Sequence, residues 1–547
     1  MGGHTKVVRF IPQNVLYNVL FAAPVFAAVT LFFVLPYAAA LAFGFCGGGV
    51  QFLRIGRIAG WTVIQALLST LLALVLGLPG AYFASSPRFK YKAVVRSLSS
   101  IPFALPPLLM GLGFVLFWGN SGIINNLLAV LGLKTPLKIL YRPSALIFCH
   151  ASYNFPLIMR IAGDAFAKIR AGYTQAAFSL GAGPFQTALS VSIPLAIPHI
   201  ISASMLVFLY CFTSFSIALL LGGAGSATLA VEIYRFARIT LDFHNAGALS
   251  GIETGIAALA FLIYLAAERK SRRFTESNLV ERPVYQPDTP NYASQSIKAA
   301  YFVVILILAA GPIFAIAGDS FFVKSSRAGV SDFLFANYTT GWKRMLSAAF
   351  HSTALCAASA ALSCVIALLA AGAAIQGGLI SALTRWIVIF PIASSGIALG
   401  FGAFALYGRE VVRHPVAAVV AHAIISLPFA YSSIYAALSS VPRNTLAAAA
   451  VFGANPLRRI LQIGIPLCSQ GIRTAWAFSA CISLGEFNAL IMLGIDSWET
   501  LPLYIYRAAA AYRYGAASSA GVILILLCFF ALRASEKSQN TACFTAP

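Results

Sequence analysis

The clearest acidic side chain within a long apolar run of this sequence invites the first interpretation through its chemistry. Glu486 stands in CISLGEFNAL, with Phe487 and Asn488 directly after it. A charge inside a membrane is costly and is usually retained for a function. One acid beside aromatic and amide side chains suits the passage of an organic cation. The alternative is a structural hydrogen bond that caps or links helices, and the sequence leaves both open.

The usual constellations of a catalytic site are missing from the sequence. We find no paired carboxylates, no Ser/His pair and no His-x-x-x-His in or beside an apolar run, and no Gly-x-x-x-x-Gly-Lys-Ser/Thr loop. The nine cysteines stand singly and are interpreted as small apolar core residues. We therefore expect no catalytic residue, no metal site and no cofactor bound by this chain. His150 and His422 are expected to serve helix packing.

The composition predicts an all-α integral membrane protein. Of 547 residues, 60% are hydrophobic and 10% are charged, whereas soluble proteins carry about 25% charged residues. A helix needs about 20 apolar residues to span a bilayer. Twelve runs are predicted to span it, six in each half: residues 15–43, 60–84, 97–119, 143–163, 197–222, 246–267, 297–317, 346–375, 385–408, 413–436, 473–495 and 515–533.

The net charge of +22 is expected to orient the protein in its membrane rather than to bind nucleic acid. Basic residues gather beside the apolar runs, for example at residues 88–96 and 269–273, as the positive-inside rule expects. These loops share one side when both termini are cytoplasmic, although Lys134, Lys138 and Arg142 would then lie outside. The first run is too long for the core of a signal peptide, so we expect it to be retained.

The two halves of the chain repeat each other at an offset of 272 residues. Without gaps, residues 150–235 align with the second half and keep Gly, Pro, His and Tyr-Arg positions together. Because six spans per half give both halves the same orientation, the repeat is parallel and a pathway would lie between the halves. The repeat pairs Glu486 with Ser214. The candidate pathway residues are Ser214, Phe215, Glu486, Phe487 and Asn488.

A helix-breaking stretch occurs once in each half, as QAAFSLGAGPFQTALSVSIPL at 175–195 and AAAAVFGANPLRRILQIGIPL at 447–467. Since backbone groups in lipid need partners, the break is expected to lie in water. Small residues precede it, and a proline well placed to start a second short helix follows. Such a surface lets a partner approach the backbone closely. An ordinary amphipathic loop is the alternative, and two copies in register disfavour it.

These stretches resemble the coupling motif of binding-protein-dependent ABC importer permeases: Glu-Ala-Ala, three residues, Gly, nine residues, Ile-x-Leu-Pro. The acid of the motif is absent, since Gln175 and Ala447 stand in its place. The candidate ATPase-coupling residues are Gln175, Ala176, Ala177, Gly181 and Pro184 in the first copy and Ala447, Ala448, Ala449, Gly453 and Pro456 in the second.

The resemblance implies two parallel six-helix permease domains of the type-I importer class on one chain. It implies a bacterial cytoplasmic (inner) membrane protein that works with a homodimeric ABC ATPase, which holds ATP and Mg, and with an extracytoplasmic solute-binding protein. An ion-coupled secondary transporter with two six-helix halves is the rival class. The loop SSPRFKYKAVVRS after the second span lacks the Gly and Asp that are usual in that class.

Fused permeases of the thiamine and ferric-iron importers are the groups that this chain resembles most. The stretch ETLPLYIYRAAAAYRYGAASSAGVILILLCFF at 499–530 looks more like the thiamine permeases. The implied solute is thiamine or its phosphate esters, with ferric iron as the alternative.

Two short Tyr-Arg segments lie between the last two spans of each half, in LAVEIYRFARITL and LPLYIYRAAAAYR. They are too short and polar to cross a membrane. We interpret Tyr234, Arg235, Tyr506 and Arg507 as an outer gate that closes the pathway or receives the binding protein. The alternative is an aromatic-belt anchor, which tyrosine commonly provides.

The expected organisation follows from these features. It comprises an N-terminal helix and outer loop at 1–59, permease domain 1 at 60–267 with its coupling loop at 165–195, and a cytoplasmic linker at 268–296. A seventh helix and outer loop at 297–345, permease domain 2 at 346–534 with its coupling loop at 437–467, and a tail at 535–547 complete the chain.

Overall fold

The computed structural model is all-helical, with no strand among the residues it describes. It describes residues 11–45, 52–85, 105–132, 136–169, 171–223, 225–277, 292–321, 336–339, 341–375, 377–441, 445, 448–449, 451–454, 458, 460–495 and 497–542.

The helices of the first half begin with long apolar segments and end in a broken region followed by one long helix. They are α1 (Ile11–Val29), α2 (Leu35–Phe45), α3 (Phe52–Ser85), α4 (Pro107–Trp118), α5 (Ile123–Val130), α6 (Pro143–Lys168), α7 (Ala171–Ser179), α8 (Pro184–Thr187), α9 (Ile193–Phe212), α10 (Ser216–Leu221), α11 (Leu229–Tyr234) and α12 (Phe243–Ser277).

The second half follows the same order. Its helices are α13 (Tyr292–Phe321), α14 (Ala336–Thr339), α15 (Trp342–Ile375), α16 (Gly378–Ile389), α17 (Gly396–Val412), α18 (Pro415–Ser439), α19 (Ile465–Leu467), α20 (Ser469–Gly485), α21 (Asn488–Leu493), α22 (Leu501–Ala510) and α23 (Tyr514–Ala542). Short π-helical turns at Thr30–Val34, Ala188–Ser192, Arg235–Thr240 and Ile460–Gly464, and a 3-10 turn at Phe390–Ala393, join some of them.

Ten helices in the described part of the chain are long and apolar enough to cross a membrane. An eleventh span results if α16 and α17, which meet at an angle of 105°, are counted as one. The all-α membrane fold predicted from the sequence is therefore confirmed, while the predicted count of twelve differs in the second half.

Two predicted spans of the second half are interrupted. The one over 385–408 contains the 105° bend between α16 and α17. The one over 473–495 stops at Gly485 and restarts at Asn488, because Glu486 adopts an extended backbone conformation with ψ of 117°. Neither α20 nor α21 alone is long enough to cross the membrane.

The predicted boundaries of the linker and of the tail fall inside helices. α12 continues to Ser277 and α13 begins at Tyr292, so both ends of the predicted linker 268–296 are helical, and residues 278–291 lie outside the described residues. α23 likewise runs to Ala542, into the predicted tail. Lys, Arg, Glu and Gln are good helix formers, so a helix that leaves the membrane can continue through polar sequence.

The first span of each half packs against the other half. α1 contacts α15 and α16, and α2 contacts α17, although α15, α16 and α17 all belong to the second half. Conversely, α13 packs against α4 of the first half. The largest apolar core accordingly contains buried residues from both halves. The two halves thus form one interlocked body.

The two repeat-related histidines lie inside the helix packing. His150 Nδ1 is 3.1 Å from Gln65 Oε1, which joins α6 to α3. His422 Nδ1 is 2.8 Å from Ser483 Oγ, which joins α18 to α20. Both side chains are buried. This placement agrees with the expected packing role.

Candidate functional site

The fifth span of each half is broken at the same position of the repeat. In the first half α9 ends at Phe212 and α10 begins at Ser216. In the second half α20 ends at Gly485 and α21 begins at Asn488. Broken helices expose backbone groups and polar side chains within the membrane only where protein or a cavity can satisfy them. The two breaks are therefore the natural place to look for a solute pathway.

Residues at the two breaks meet their own repeat equivalents. Ser216 Oγ donates a hydrogen bond to Asn488 Oδ1 at 2.7 Å, and these residues are 272 positions apart. The rings of Phe215 and Phe487, also equivalent, are stacked with their centroids 6.0 Å apart. Contacts between equivalent positions mark a pseudo-twofold axis that passes between the two halves. Three predicted pathway residues, Phe215, Phe487 and Asn488, take part in these contacts. The other two, Ser214 and Glu486, directly precede Phe215 and Phe487 in the chain.

The predicted gate tyrosines pack onto the same phenylalanine pair. Tyr234 contacts Phe215 with a centroid distance of 5.5 Å, and Tyr506 contacts Phe487 at 5.0 Å. Phe215 and Phe487 are each only 1% exposed. These four rings therefore form one cluster, made of two predicted pathway residues and two predicted gate residues. We call Phe215, Phe487, Tyr234 and Tyr506 the axial aromatic cluster.

Glu486 occupies the break next to this cluster. Its Oε1 accepts a hydrogen bond from the Ala489 N–H at 3.0 Å, as an N-terminal cap of α21. A Cβ atom on Gly396 would lie 2.8 Å from the same oxygen, so the bend before α17 leaves room for this carboxylate. This hydrogen bond is the one expected if Glu486 has a structural role. A role in attracting a cation stays a prediction. Ser214, its repeat equivalent, lies in the non-helical segment of the first break.

A second buried acid, Glu253, reaches the same bend from the first half, and the sequence analysis missed it. Ser395 Oγ donates a hydrogen bond to Glu253 Oε2 at 2.8 Å and accepts one from the Ala398 N–H at 3.1 Å. Tyr37 Oη donates to the Ser395 carbonyl at 3.1 Å. Glu253 is 1% exposed. Its position in SGIETGIAALAF, inside a predicted span, was the signal that could have identified it.

Each gate arginine shares an acid with a second arginine. In the first half Glu232 Oε2 lies 2.5 Å from Arg235 and 3.7 Å from Arg54. In the second half Glu499 contacts Arg344 at 2.6 Å and Arg507 at 2.9 Å. The two arginines of the predicted gate are repeat equivalents, but their acids are not. These ion pairs connect the short helices α11 and α22 to the first turns of the long helices α3 and α15.

The charge state of Glu499 follows from this arrangement. Partial burial alone would raise the pKa of its carboxyl, but hydrogen bonds from Arg344 and Arg507 outweigh that effect and lower the pKa. The acid is therefore held in its ionised form at neutral pH.

A cavity of about 170 Å³ lies between the halves beside the axial aromatic cluster. We call it the axial cavity. Its polar lining comes from Tyr234, Arg238, Tyr506 and Arg507, and α21 and the residues that follow it supply an apolar wall. Arg238 is the member of this set that sequence analysis did not single out.

The two coupling stretches adopt the same helix-ending turn. The Ala182 N–H bonds to the Ala177 carbonyl at 3.0 Å, and the Ala454 N–H bonds to the Ala449 carbonyl at 3.0 Å. Gly181 and Gly453 have φ of +87° and +82°, a left-handed conformation that glycine adopts without strain. This is the Schellman pattern of a helix C-terminus, and it realises the predicted break in both copies.

Large apolar side chains stand at the tips of these turns. Leu180 and its repeat equivalent Phe452 are each 89% exposed, and Phe185 in α8 is 79% exposed. Apolar groups exposed together on a protein surface mark contact sites. Gln175, Ala176 and Ala177 lie on α7, and Pro184 begins α8 as predicted. Ala448 and Ala449 are helical, whereas Ala447 and Pro456 lie outside the described residues.

One continuous path leads from the first coupling stretch to the first break. α8, the π-helical turn Ala188–Ser192 and α9 follow one another without interruption up to Phe212. The first coupling stretch is therefore joined by continuous helix to the break that precedes Phe215.

Comparisons with known proteins agree on one family. The family described as "Binding-protein-dependent transport system inner membrane component" matches residues 69–268. The thiamine transport system permease protein ThiP of Brucella abortus (strain 2308) is 26% identical over 496 residues, which cover 88% of this chain and 87% of that protein. ThiP of Escherichia coli (strain K12) is 23% identical over 488 residues, with 88% of each chain covered.

A shorter relative matches with higher identity. The molybdenum transport system permease protein ModB of Azotobacter vinelandii is 31% identical over 216 residues, which cover 39% of this chain and 92% of that protein. The ModB match therefore has about the length of one half of this chain, whereas the ThiP matches extend across both halves.

Proposed function

The chain belongs to the family of binding-protein-dependent transport system inner membrane components and is the permease component of an ABC importer, and from this premise we propose that it imports thiamine or its phosphate esters. It is a multi-pass inner membrane protein and a transport subunit that works with an ATPase and a solute-binding protein. Membership of this family sets aside the ion-coupled secondary transporter.

The observation that carries the choice of solute is the extent of the similarity. Relatives named as thiamine permeases match 88% of the chain and therefore extend over both halves. The tail at 499–530, which lies after the second break and contains the gate residues Tyr506 and Arg507, belongs to the part that resembles them.

We assign the energy-coupling role to the two turns at Gly181 and Gly453. The exposed apolar tips Leu180 and Phe452 support docking of a partner, and their equivalence under the repeat supports a partner with two equal surfaces. In this proposal the partner is a homodimeric ATPase that binds ATP and Mg. Both termini then lie on the cytoplasmic side, with the coupling turns.

The axial aromatic cluster is the closed part of the proposed pathway. Ser216 and Asn488 hold the two breaks together, and the rings of Phe215 and Phe487 block the axis. ATP binding that brings the coupling turns together would favour a second state in which these contacts separate. A partner drives that change only if it binds the two states with different affinity. Glu486 beside the cluster is the proposed attraction for the cationic thiazolium ring.

Labelled thiamine uptake by a thiamine-requiring strain that lacks its own thiamine permease tests this proposal. The strain is supplied with the chain, its ATPase and its binding protein, and labelled thiamine uptake is measured with and without a proton uncoupler while ATP is maintained. We expect uptake that depends on the chain and survives the uncoupler. Uptake of ferric iron in place of thiamine would reject the assignment of the solute and keep the importer.

A further inference from the structure

The axial cavity contains one cationic side chain that lacks a carboxylate partner. In the part of the chain that the structure describes, Arg235, Arg344 and Arg507 each contact Glu232 or Glu499, but Arg238 contacts no acid. Its guanidinium carbon lies 5.7 Å from the centroid of the Phe404 ring. A half-buried guanidinium in this setting has unused hydrogen-bond donors.

Arg238 extends from one half of the protein to the other. It follows α11 of the first half, and a Cβ atom on Gly494 of the second half would lie 2.8 Å from its guanidinium carbon. Gly494 has φ of +70° and ends α21. The side chain therefore lies across the boundary between the halves, at the wall of the axial cavity.

Arg238 also departs from the repeat. The two tyrosines that line the cavity, Tyr234 and Tyr506, are repeat equivalents, whereas the position equivalent to Arg238 is Ala510. Packing of two similar halves explains the paired tyrosines but not Arg238. Since its donors have no carboxylate acceptor in the described part of the chain, this side chain is suited to an anionic group of a ligand.

We propose that the axial cavity is an anion-binding site, in which Arg238 recognises the phosphate of a phosphorylated solute and favours it over the unphosphorylated form. Arginine suits this task because its planar donors fit two phosphate oxygens at once. The hydroxyls of Tyr234 and Tyr506 are further donors on the same lining. This inference rests on the proposed function, since the phosphate is the anionic part of a thiamine ester.

The site complements Glu486 rather than duplicating it. Thiamine carries a positive ring, which an acid at the break attracts, and its esters add a negative group at the far end. A guanidinium in the axial cavity and a carboxylate at the adjacent break would bind the two ends of one extended solute. Thiamine itself would meet the guanidinium without a compensating phosphate.

Uptake rates of labelled thiamine and labelled thiamine diphosphate, each at a concentration far below saturation, test the site in proteoliposomes with the ATPase and binding protein. We expect Arg238→Gln to lower the ratio of diphosphate to thiamine uptake about tenfold, the change produced by losing about 1.4 kcal/mol. Arg238→Lys keeps the charge but not the paired donors, so it should keep part of the preference.

Arg409→Gln is the matched control, because Arg409 is an exposed arginine on α17 that does not line the cavity. It should leave the ratio unchanged. Equal losses of both uptake rates in Arg238→Gln would overturn the inference and indicate docking of the binding protein instead. A response of thiamine uptake to added inorganic phosphate that is lost in Arg238→Gln would also overturn it, in favour of a free anion. If the wild-type chain imports neither compound, the proposed function fails and this inference fails with it.

Discussion

Glu486 offers a perturbation that separates its two possible roles. Glu486→Gln keeps an oxygen that can accept the hydrogen bond from the Ala489 N–H but removes the charge. Glu486→Leu removes both. Loss of a helix cap costs about 0.5–2 kcal/mol, and leaving a buried N–H without a partner costs about 1–3 kcal/mol. We therefore expect Leu to lower the free energy of unfolding by about 1–3 kcal/mol, and Gln by less than about 0.5 kcal/mol.

The assay combines folded amount with transport. Thermal unfolding of the purified protein in detergent measures stability, and membrane abundance measures folding in the cell. Labelled thiamine uptake per folded molecule then measures the role of the charge. Since 1.4 kcal/mol corresponds to a tenfold change in an equilibrium constant, the Leu variant should shift the folded-to-unfolded ratio by roughly 5- to 150-fold.

Two results would refute parts of this reasoning. If Gln destabilises the protein as much as Leu, the cap on α21 is not what Glu486 contributes to stability. If Gln folds normally and transports thiamine at the wild-type rate, the charge plays no part in the pathway, and Glu486 is a structural residue alone.

The remaining predictions concern the coupling turns, the second buried acid and the gate. Gly181→Arg or Gly453→Arg should abolish ATP-driven uptake at normal membrane abundance, because a bulky charge keeps the ATPase from the backbone; normal uptake in both would remove the coupling role. Glu253→Ala should destabilise the protein by about 1–3 kcal/mol, because it leaves the buried Ser395 hydroxyl without its acceptor, whereas Glu253→Gln should be milder in the same unfolding assay. The lowered pKa of Glu499 stabilises the fold above the ordinary carboxyl pKa of 4.5, and that stability is lost as pH falls through the lower folded value. Thermal unfolding between pH 7 and pH 3 (about the range in which a carboxyl titrates) should therefore show a smaller acid-induced loss for Glu499→Gln than for the wild type, and equal losses would contradict the ion-pair account.

The turns at the coupling stretches were predictable because the sequence contains their cause. Gly181 and Gly453 permit the left-handed backbone that ends a helix, and the proline after each of them can begin another helix. These residue types therefore predict a break. The all-helical membrane fold was predictable for a similar reason, since hydropathy reports directly on burial in lipid.

The interruptions within the fifth spans were not predictable from hydropathy. Residues 473–495 contain no proline, and their apolar side chains favour a continuous helix, yet the backbone turns at Glu486. The reason is tertiary: the carboxylate caps α21 and fits beside Gly396 of a neighbouring helix. The bend at 390–396 had a local signal in Pro391, Ser394 and Ser395, which a hydropathy average over the whole run does not show.

Contacts between the halves required three-dimensional information. The repeat pairs Ser216 with Asn488 in the alignment, but alignment alone does not say that they touch. Nor does it show that Glu232 and Glu499, at positions that do not correspond, serve equivalent arginines. Glu253 is the exception among the missed residues, because an acid within a predicted span was visible in the sequence.

The central claim is that this chain conducts thiamine in an ATP-driven importer. Its most direct test is the ATPase activity of the complex reconstituted in liposomes with the ATPase and the binding protein, measured with thiamine, with ferric iron and with neither. The account predicts that thiamine-loaded binding protein stimulates ATP hydrolysis together with thiamine entry into the vesicles, and that Gly181→Arg removes both. Stimulation by iron and not by thiamine would contradict it.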